Sequence, residues 1–320
     1  MKIRLLAIIT VMALSMSSFA QTKDDAVNAF NKAVTLASTD LLQAVNSMKE
    51  SAAIAAKIGP EADTIRQMAQ EQIPILQYNY ATALYKEKKI DEAIANFITA
   101  RDYSVQYKDK STQAKAEDLL PKLYLSKGVN EYKANQFDAA VASYTKALGY
   151  DSTMARAWLN MGLAYKKLNK DAEMRHAMDK AIDKGLLTND EKTVESASKT
   201  MGDELLVDAN NAFKKNDFNS TTKQLEEALK YNDKNPEIYY LHAVALNKLS
   251  KFDEALAQAE KGLTIEEDTP AKKARFHFEI GNAQAGKGEN GNACASYKKA
   301  AVGAFAESAN YQIKNVLKCS

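Results

Sequence analysis

The chain has 320 residues with 43 basic and 41 acidic side chains, which gives a formal net charge of +2. Such a balance lacks the clustered basic charge that nucleic-acid binding needs, so that class of function is excluded. Only two cysteines occur, Cys294 and Cys319, so the chain is not a disulfide-dense scaffold.

The first twenty residues have the pattern of a secretory signal peptide. Lys2 and Arg4 precede an apolar run over residues 5–14, and residues 18–20 read Ser-Phe-Ala. These are the charged region, the apolar core and the cleavage site of such a peptide. The run is too short to span about 30 Å of hydrocarbon comfortably. We therefore expect cleavage after residue 20 and a soluble, exported mature chain, periplasmic or secreted, without a membrane span.

One phrase recurs along the chain, and two columns of small residues run in phase with it. The phrase reads NQFDAAVASYTKAL at 135–148, NDFNSTTKQLEEAL at 216–229 and SKFDEALAQAEKGL at 250–263. The first column holds Ala81, Gly128, Gly162, Ala209, Ala243 and Gly281, and the second holds Ala100, Ala147, Ala181, Ala228, Gly262 and Ala300. Small residues in fixed columns indicate two antiparallel helices in close contact, because they let the helices approach.

The interval between these residues resembles that of the tetratricopeptide repeat family. The step from Gly128 to Gly162 equals the step from Ala209 to Ala243. Both match the period of that helical hairpin, which is about 34 residues. The resemblance implies an all-α fold, a right-handed superhelical solenoid of antiparallel helix hairpins. We expect a signal peptide over residues 1–20, a degenerate N-terminal hairpin over 21–59, a repeat array over 60–303 and a capping helix over 304–320.

Some hairpins are expected to have elongated first helices. In the first small column, the steps from Ala81 to Gly128 and from Gly162 to Ala209 are longer than the others. The extra segments, before Pro121 and before Gly202, contain no helix breaker. We expect Ser111 and Asn189 to cap these helices, with a kink at Pro121. Residues 60–73 are expected to extend a first helix in the same manner.

Three prolines are expected at or near the start of a first helix. Pro74, Pro121 and Pro236 all precede a small residue of the first column. Proline is tolerated in the first turn of a helix, because its missing N–H would have no partner there.

The residues that usually carry catalysis or metal binding are scattered. His176, His242 and His277 lie in different predicted hairpins without ligand spacing, and His242 falls on a column expected to be buried. Acidic residues 266–268 lack the alternation of a calcium loop and are expected to form a solvated linker. Trp158 belongs to a packing column and is expected in the core. We expect no catalytic site, no metal and no cofactor.

The resemblance implies a concave groove lined by first helices, which family members use to hold peptides or protein segments. The residues expected to face it are Tyr78, Thr82, Tyr85, Leu125, Val129, Tyr132, Leu163, Lys166, Asn210, Phe213, Tyr240, Val244, Asn247, Phe278 and Asn282. Tyr85, Tyr132 and Phe213 suit hairpin packing equally well, whereas Tyr78, Tyr240 and Phe278 favour the groove. Leu125, Val129, Leu159 and Leu163 stand where the chaperone-binding branch of the family has its Lys–Asn carboxylate clamp, so that clamp is missing.

The function predicted from these features is a non-enzymatic protein-interaction scaffold or adaptor in the periplasm, with a protein or peptide as its partner. An alternative from another class is a carrier of a small ligand, such as a glycan or cell-wall fragment, in a pocket between repeats. The two differ in geometry, because a scaffold needs a continuous open groove and a carrier needs one closed pocket with convergent polar groups. Homodimerisation through the concave face stays open.

Two features concern covalent modification. An oxidising compartment permits Cys294 and Cys319 to pair, which would fix the terminal element, although helix lengths need not bring them level. Residues 63–65 (Asp-Thr-Ile) and 151–153 (Asp-Ser-Thr) resemble the short acceptor motif of Bacteroidetes O-glycosylation. Asp-Ser and Asp-Thr before a helix are also ordinary capping sequences, so modification of Thr64 or Ser152 stays open.

Overall fold

The computed structural model describes residues 21–267 and 269–319, and the expected signal peptide lies outside them. Within these ranges the chain forms fifteen α-helices and no β-strand. It divides between Lys127 and Gly128 into two compact units, which are described separately. The predicted all-α fold of antiparallel helix pairs is confirmed.

The first unit contains two helical hairpins and most of a further helix. A 3₁₀ turn at Pro60–Ala62 leads from the first hairpin into the second. The helices are α1 (Lys23–Leu36), α2 (Leu41–Ile58), α3 (Asp63–Lys86), α4 (Ile90–Tyr107) and α5 (Lys110–Lys133), which contains the boundary between the units.

The second unit continues from the end of α5 and closes with short irregular turns. Its helices are α6 (Phe137–Tyr150), α7 (Ala155–Lys167), α8 (Asp171–Thr188), α9 (Glu191–Lys214), α10 (Phe218–Tyr231), α11 (Pro236–Lys248), α12 (Phe252–Ile265), α13 (Pro270–Gly286), α14 (Asn290–Ala300) and α15 (Ala306–Tyr311). A π-helical turn over Gln312–Val316 follows α15.

The same turn joins the two helices of every hairpin from α3 to α14. One residue at each turn has a positive φ, and the next residue donates its amide to the carbonyl five positions earlier, as Lys89 does to Leu84 O at 3.0 Å. This is the Schellman pattern, which pairs carbonyls that a helix end leaves without a partner. The positive-φ residues are Lys88, Asn135, Asn169, Asn216, Ser250 and Gly288. Their spacing follows that of the first small column.

Four consecutive helices recur with identical lengths and at a constant offset further along the chain. Helix α4 corresponds in this way to α8, α5 to α9, α6 to α10 and α7 to α11. The recurring block therefore contains one long first helix of 24 residues and one short first helix of 13. The larger structural period is a pair of unequal hairpins.

Most hydrophobic clusters join one hairpin to the first helix of the next. In the N-terminal cluster, Ala33 of α1, Met48 of α2 and Ile73 of α3 are all buried. A small column makes such contacts close: a Cβ at Gly262 of α12 would overlap the Phe276 ring of α13. Because a single hairpin leaves part of its apolar face exposed, its stability depends on the neighbouring repeat.

The elongated first helices are confirmed, because α3, α5 and α9 each have 24 residues. Two prolines were misplaced by the sequence pattern. Pro236 begins α11 as expected, but Pro74 and Pro121 lie inside α3 and α5. Both of these side chains are buried, so packing offsets a penalty of roughly 3 kcal/mol for proline inside a helix. The kink at Pro121 stays a prediction.

Both proposed caps were wrong by one or two residues. Asp109 Oδ1 accepts the amides of Ser111 and Thr112, each at 3.1 Å, so Asp109 caps the start of α5. Asp190 caps α9 by accepting the amide of Thr193. Asn189 instead ends α8 in the left-handed conformation, which asparagine tolerates better than most residues.

Candidate binding face of the first helices

The structure leaves all fifteen predicted groove residues at least partly accessible. Tyr85 and Lys166 are exposed, and the other thirteen are half-buried. In the first unit, α3 holds Tyr78, Thr82 and Tyr85, and α5 holds Leu125. Tyr85 has an exposed fraction of 41%.

In the second unit, the predicted residues follow the first helices from one hairpin to the next. We call this set the first-helix row: Val129, Tyr132, Leu163, Lys166, Asn210, Phe213, Tyr240, Val244, Asn247, Phe278 and Asn282. Lys166 is its one charged member, and its Nζ lies 2.5 Å from Glu204 Oε1 of α9. The row therefore presents apolar, aromatic and amide groups.

Two aromatic members of the row also close their hairpins. The Tyr132 ring meets Phe137 edge-to-face with centroids 5.3 Å apart, and Phe213 meets Phe218 in the same way at 5.4 Å. Each pair joins the last turn of a first helix to the first residue of the second. Packing and accessibility therefore coexist at these two positions.

Three further aromatic residues have ring partners behind them. The pairs are Tyr78 with Phe97 at 5.1 Å, Tyr240 with Phe276 at 5.9 Å, and Phe278 with Tyr297 at 5.4 Å between centroids. Phe97, Phe276 and Tyr297 are buried, whereas Tyr78, Tyr240 and Phe278 keep part of their surface accessible. The partners fix the orientation of the accessible rings.

A buried carboxylate lies beneath the C-terminal end of the row. Glu279 Oε2 accepts Nδ2–H groups from Asn247 at 2.8 Å and Asn282 at 3.0 Å, and the Tyr297 hydroxyl donates to Asn282 Oδ1 at 2.8 Å. Burial raises the pKa of Glu279 above its usual range, although both amide hydrogen bonds and Lys248 oppose that rise. The repeat columns do not point to Glu279, because one of its hydrogen-bond partners, Asn247, lies in a different hairpin.

Arg275 joins three parts of the α11–α13 region. Its guanidinium pairs with Glu237 and with Glu266 Oε2, the latter at 2.6 Å, and stacks 5.0 Å from the Tyr240 ring. Burial, then Glu279 and Glu237, raise the pKa of Tyr240 to about 12. Glu266 is buried by this arrangement, so the expected solvated linker was wrong at Glu266. Asp268 lies outside the described residues.

Trp158 was expected in the core, but it is half-buried and lines an open cavity of about 440 Å³. The cavity lies where α6, α7 and α8 meet. We call it the Trp158 cavity, and the side chains around it include Thr145, Trp158, Met161, Tyr165, Glu173 and His176. The expectation failed because the ring lies at the edge of its cluster, whose buried residues come from α8 and α9.

The three histidines lie on three helices, as predicted. His176 of α8 is exposed, His277 of α13 is half-buried, and His242 of α11 is buried with an exposed fraction of 3%. Among the residues that the structure describes, no three or more His, Cys, Asp or Glu side chains are grouped to hold a metal ion. Across residues 21–267 and 269–319, no helix has the length and apolarity to cross a membrane.

The C-terminal turns are fixed to the last hairpin. Cys294 of α14 and Cys319 form a disulfide with their Cα atoms 5.9 Å apart. Ala309 of α15 is buried in one cluster with Ala293 and Tyr297 of α14. The bond and this cluster together cover the end of the second unit.

Comparisons with known families identify the repeat. A family model described as TPR repeat matches residues 128–169, and one described as Tetratricopeptide repeat matches residues 206–271. Both segments match the tetratricopeptide repeat. They contain the three recurring phrases and four members of the first small column, so the family matches and the packing columns agree in position. No curated protein matches the chain.

Solved tetratricopeptide structures resemble the chain at low sequence identity. The TPR protein YrrB, described as having an unusual peptide-binding site, is 21% identical and aligns over 65% of this chain and 94% of its own, with a TM-score of 0.35. The C-terminal part of a TPR repeat-containing protein from Cytophaga hutchinsonii is 16% identical over 74% of this chain and 82% of its own, with a TM-score of 0.37.

A third example is the TPR2AB-domain:pHSP90 complex of yeast Sti1. It is 18% identical over 77% of this chain and 93% of its own, with a TM-score of 0.30. These scores are low, and the fold is established by the helix pairs of the chain itself.

Proposed function

We propose that the protein is a non-enzymatic interaction scaffold that binds a protein or peptide segment along its first helices. The observation that carries this proposal is the composition of the first-helix row, in which ten of eleven members are uncharged and none is buried. An accessible helix face normally carries charged and polar residues. Accessible apolar and aromatic side chains grouped on one face mark an interaction site more often than scattered ones do.

The aromatic members of the row are suited to such binding. Tyr and Phe dominate binding energy at many interfaces, because they bury a large area with few rotatable bonds. Tyr132 and Phe213 are already held by Phe137 and Phe218. Little side-chain entropy would therefore be lost when a partner covers them. Tetratricopeptide proteins are generally interaction scaffolds of this kind, which supports the proposal for the matched segments.

We place the protein outside the cytoplasm, in the periplasm or secreted. The support is the signal-peptide pattern of residues 1–20 together with the disulfide between Cys294 and Cys319. Disulfides persist in oxidising compartments and are rare in the cytosol. Fractionation of the producing cells tests this directly, and recovery of the full-length chain from the cytosol would contradict it.

Site-specific photo-crosslinking tests the binding surface. A photoreactive phenylalanine is placed at Val129 or Val244 in the row, or at Leu186 of α8 as a control. Leu186 is apolar and 64% exposed, so it matches the row in chemistry but not in position. We expect one partner to crosslink at Val129 and Val244 and not at Leu186.

Binding to the purified partner then measures the contribution of the row. Val244→Asp introduces a charge into the row, and Leu186→Asp introduces the same charge elsewhere. We expect the first change to weaken binding at least about tenfold, because a desolvated charge in an apolar contact is costly, and the second to leave it unchanged. Equal crosslinking and equal affinity at the two positions would contradict the proposal.

The carrier alternative predicts one closed pocket with convergent polar groups. The described cavities instead open to solvent, including one of about 700 Å³ between the start of α9 and the α10–α11 loop. Its lining mixes acidic and basic side chains, among them Glu191, Lys199 and Asp233. These clefts give less support to a small-ligand carrier than the first-helix row gives to a scaffold.

A further inference from the structure

The Trp158 cavity lies on a different face of α7 from the first-helix row. Trp158, Met161 and Tyr165 of α7 line the cavity, whereas Leu163 and Lys166 of the same helix belong to the row. With 3.6 residues per turn, the two sets point in different directions. A ligand of the cavity would therefore be bound independently of a partner on the row.

The aromatic wall of the cavity is fixed in orientation. Trp158 Nε1 donates to the backbone carbonyl of Ser152 at 3.1 Å, which satisfies the polar edge of the indole. The His176 ring meets the indole edge-to-face with centroids 6.1 Å apart. With Tyr165 two turns further along α7, three aromatic side chains from two helices border one depression.

The formal charge among the residues that line the cavity is negative. Glu173 is exposed at its rim and has no ion pair or hydrogen bond within the described part of the chain, and no lysine or arginine is among the lining residues. Thr145 contributes a hydroxyl that already donates to Val141 O at 2.8 Å. The cavity therefore combines aromatic rings, the thioether of Met161 and an unpaired carboxylate.

We propose that the Trp158 cavity binds the side chain of a lysine from a partner polypeptide. The aliphatic stem of lysine would pack against Met161 and the rings, and its ammonium would lie near the aromatic faces and the Glu173 carboxylate. Aromatic rings attract cations through their quadrupole, and long cationic side chains place their methylenes on apolar surface with the charge at the end. A neutral apolar side chain would leave Glu173 without a partner.

Trp158 provides the assay, because it is the chain's one tryptophan. The protein is titrated with N-acetyl-lysine methylamide while indole fluorescence is followed. The matched neutral probe is N-acetyl-norleucine methylamide, which has the same stem without the ammonium. We expect a saturable change with the lysine probe and an affinity roughly 2- to 30-fold above that of the norleucine probe.

The source of the preference is tested by removing one carboxylate at a time. Glu173→Gln keeps the shape of the rim and is expected to abolish the preference for lysine over norleucine. Glu254→Gln is the matched control, because Glu254 is the third residue of α12 as Glu173 is of α8, and it should keep the preference. Raising the salt concentration should weaken only the lysine probe, because exposed charges are screened.

Three results would overturn the proposal. They are equal affinity for the two probes, an undiminished preference in Glu173→Gln, and no saturable fluorescence change with the lysine probe. Circular dichroism of both variants checks that they remain folded. The proposal that a partner binds the first-helix row is tested separately, because neither variant alters that row.

Discussion

Acid should destabilise the protein through His242, and replacing that residue should remove much of the effect. The imidazole is buried in α11 with an exposed fraction of 3%, and neither ring nitrogen has a hydrogen-bond partner in the described part of the chain. Burial lowers the pKa of His242 from 6.5 to about 4, a fall that Lys251 supports and Glu254 opposes. The folded protein therefore holds His242 neutral at a pH where the unfolded chain protonates it.

The direction of the pH dependence follows from this difference. Between pH 6.5 and about 4 the unfolded chain binds more protons at this site, so the free energy of unfolding falls as pH falls. At about 1.4 kcal/mol per pH unit, roughly 2 kcal/mol should be lost by pH 5 and about 3 kcal/mol below pH 4. This stabilisation is fully present above pH 6.5.

The measurement is urea unfolding at pH 7 and pH 5 for the wild type and His242→Leu. The substitution removes no hydrogen bond, because the ring nitrogens have none. We expect the pH-dependent loss of stability to be about 2 kcal/mol smaller in the variant. His176→Leu, which changes an exposed histidine, should leave the loss unchanged. An equal loss in the wild type and His242→Leu would refute the reasoning.

Three further changes test packing, the terminal bond and capping. Gly262→Ala should cost about 1–3 kcal/mol in thermal unfolding, because the new Cβ would overlap the Phe276 ring and overpacking is destabilising. Reduction of the Cys294–Cys319 disulfide, whose cysteines are 25 positions apart, should cost about 2–4 kcal/mol and increase hydrogen exchange in α15. Asp190→Ala removes the cap of α9, and should cost about 1 kcal/mol with faster exchange in its first turn.

Each of these three has its own control. Gly149→Ala adds a Cβ with no atom within 4 Å, so it should be neutral or stabilising. A variant with both cysteines changed to serine should not respond to reductant. Asp171→Ala alters an aspartate inside the first turn of α8, where no side-chain cap is made. If that variant loses as much stability as Asp190→Ala, the loss comes from the helix dipole and not from the cap.

The sequence predicts the helix pairs well, because close contacts between helices require small residues at fixed positions. Gly128 and Gly162 mark positions where a neighbouring side chain, Tyr144 or Met178, leaves no room for a Cβ. The elongation of α5 and α9 could also be predicted from the longer steps between residues of the first small column. The positions of the prolines inside α3 and α5 could not be predicted, because packing against other helices offsets the local cost of proline inside a helix.

The accessibility of the candidate binding residues could be predicted from the repeat, but their electrostatics could not. The columns of the repeat place Tyr240 and Asn247 on an accessible face, as the structure does. The burial of Glu266 depends on Arg275, and the hydrogen bonds of Glu279 depend on Asn247 of the preceding hairpin. These pairs join residues from different hairpins that do not occupy related positions of the repeat. They therefore cannot be predicted from the repeat pattern of a single sequence.

The identical spacing of four consecutive helices has a consequence for how such chains can change in length. Removing residues 155–235 would join the loop after α6 directly to α11, whose first residue occupies the place of the first residue of α7 in the block. Removing a single hairpin from the same point would bring a long first helix to a place built for a short one. We therefore expect homologous chains to gain or lose hairpins in pairs more readily than one at a time.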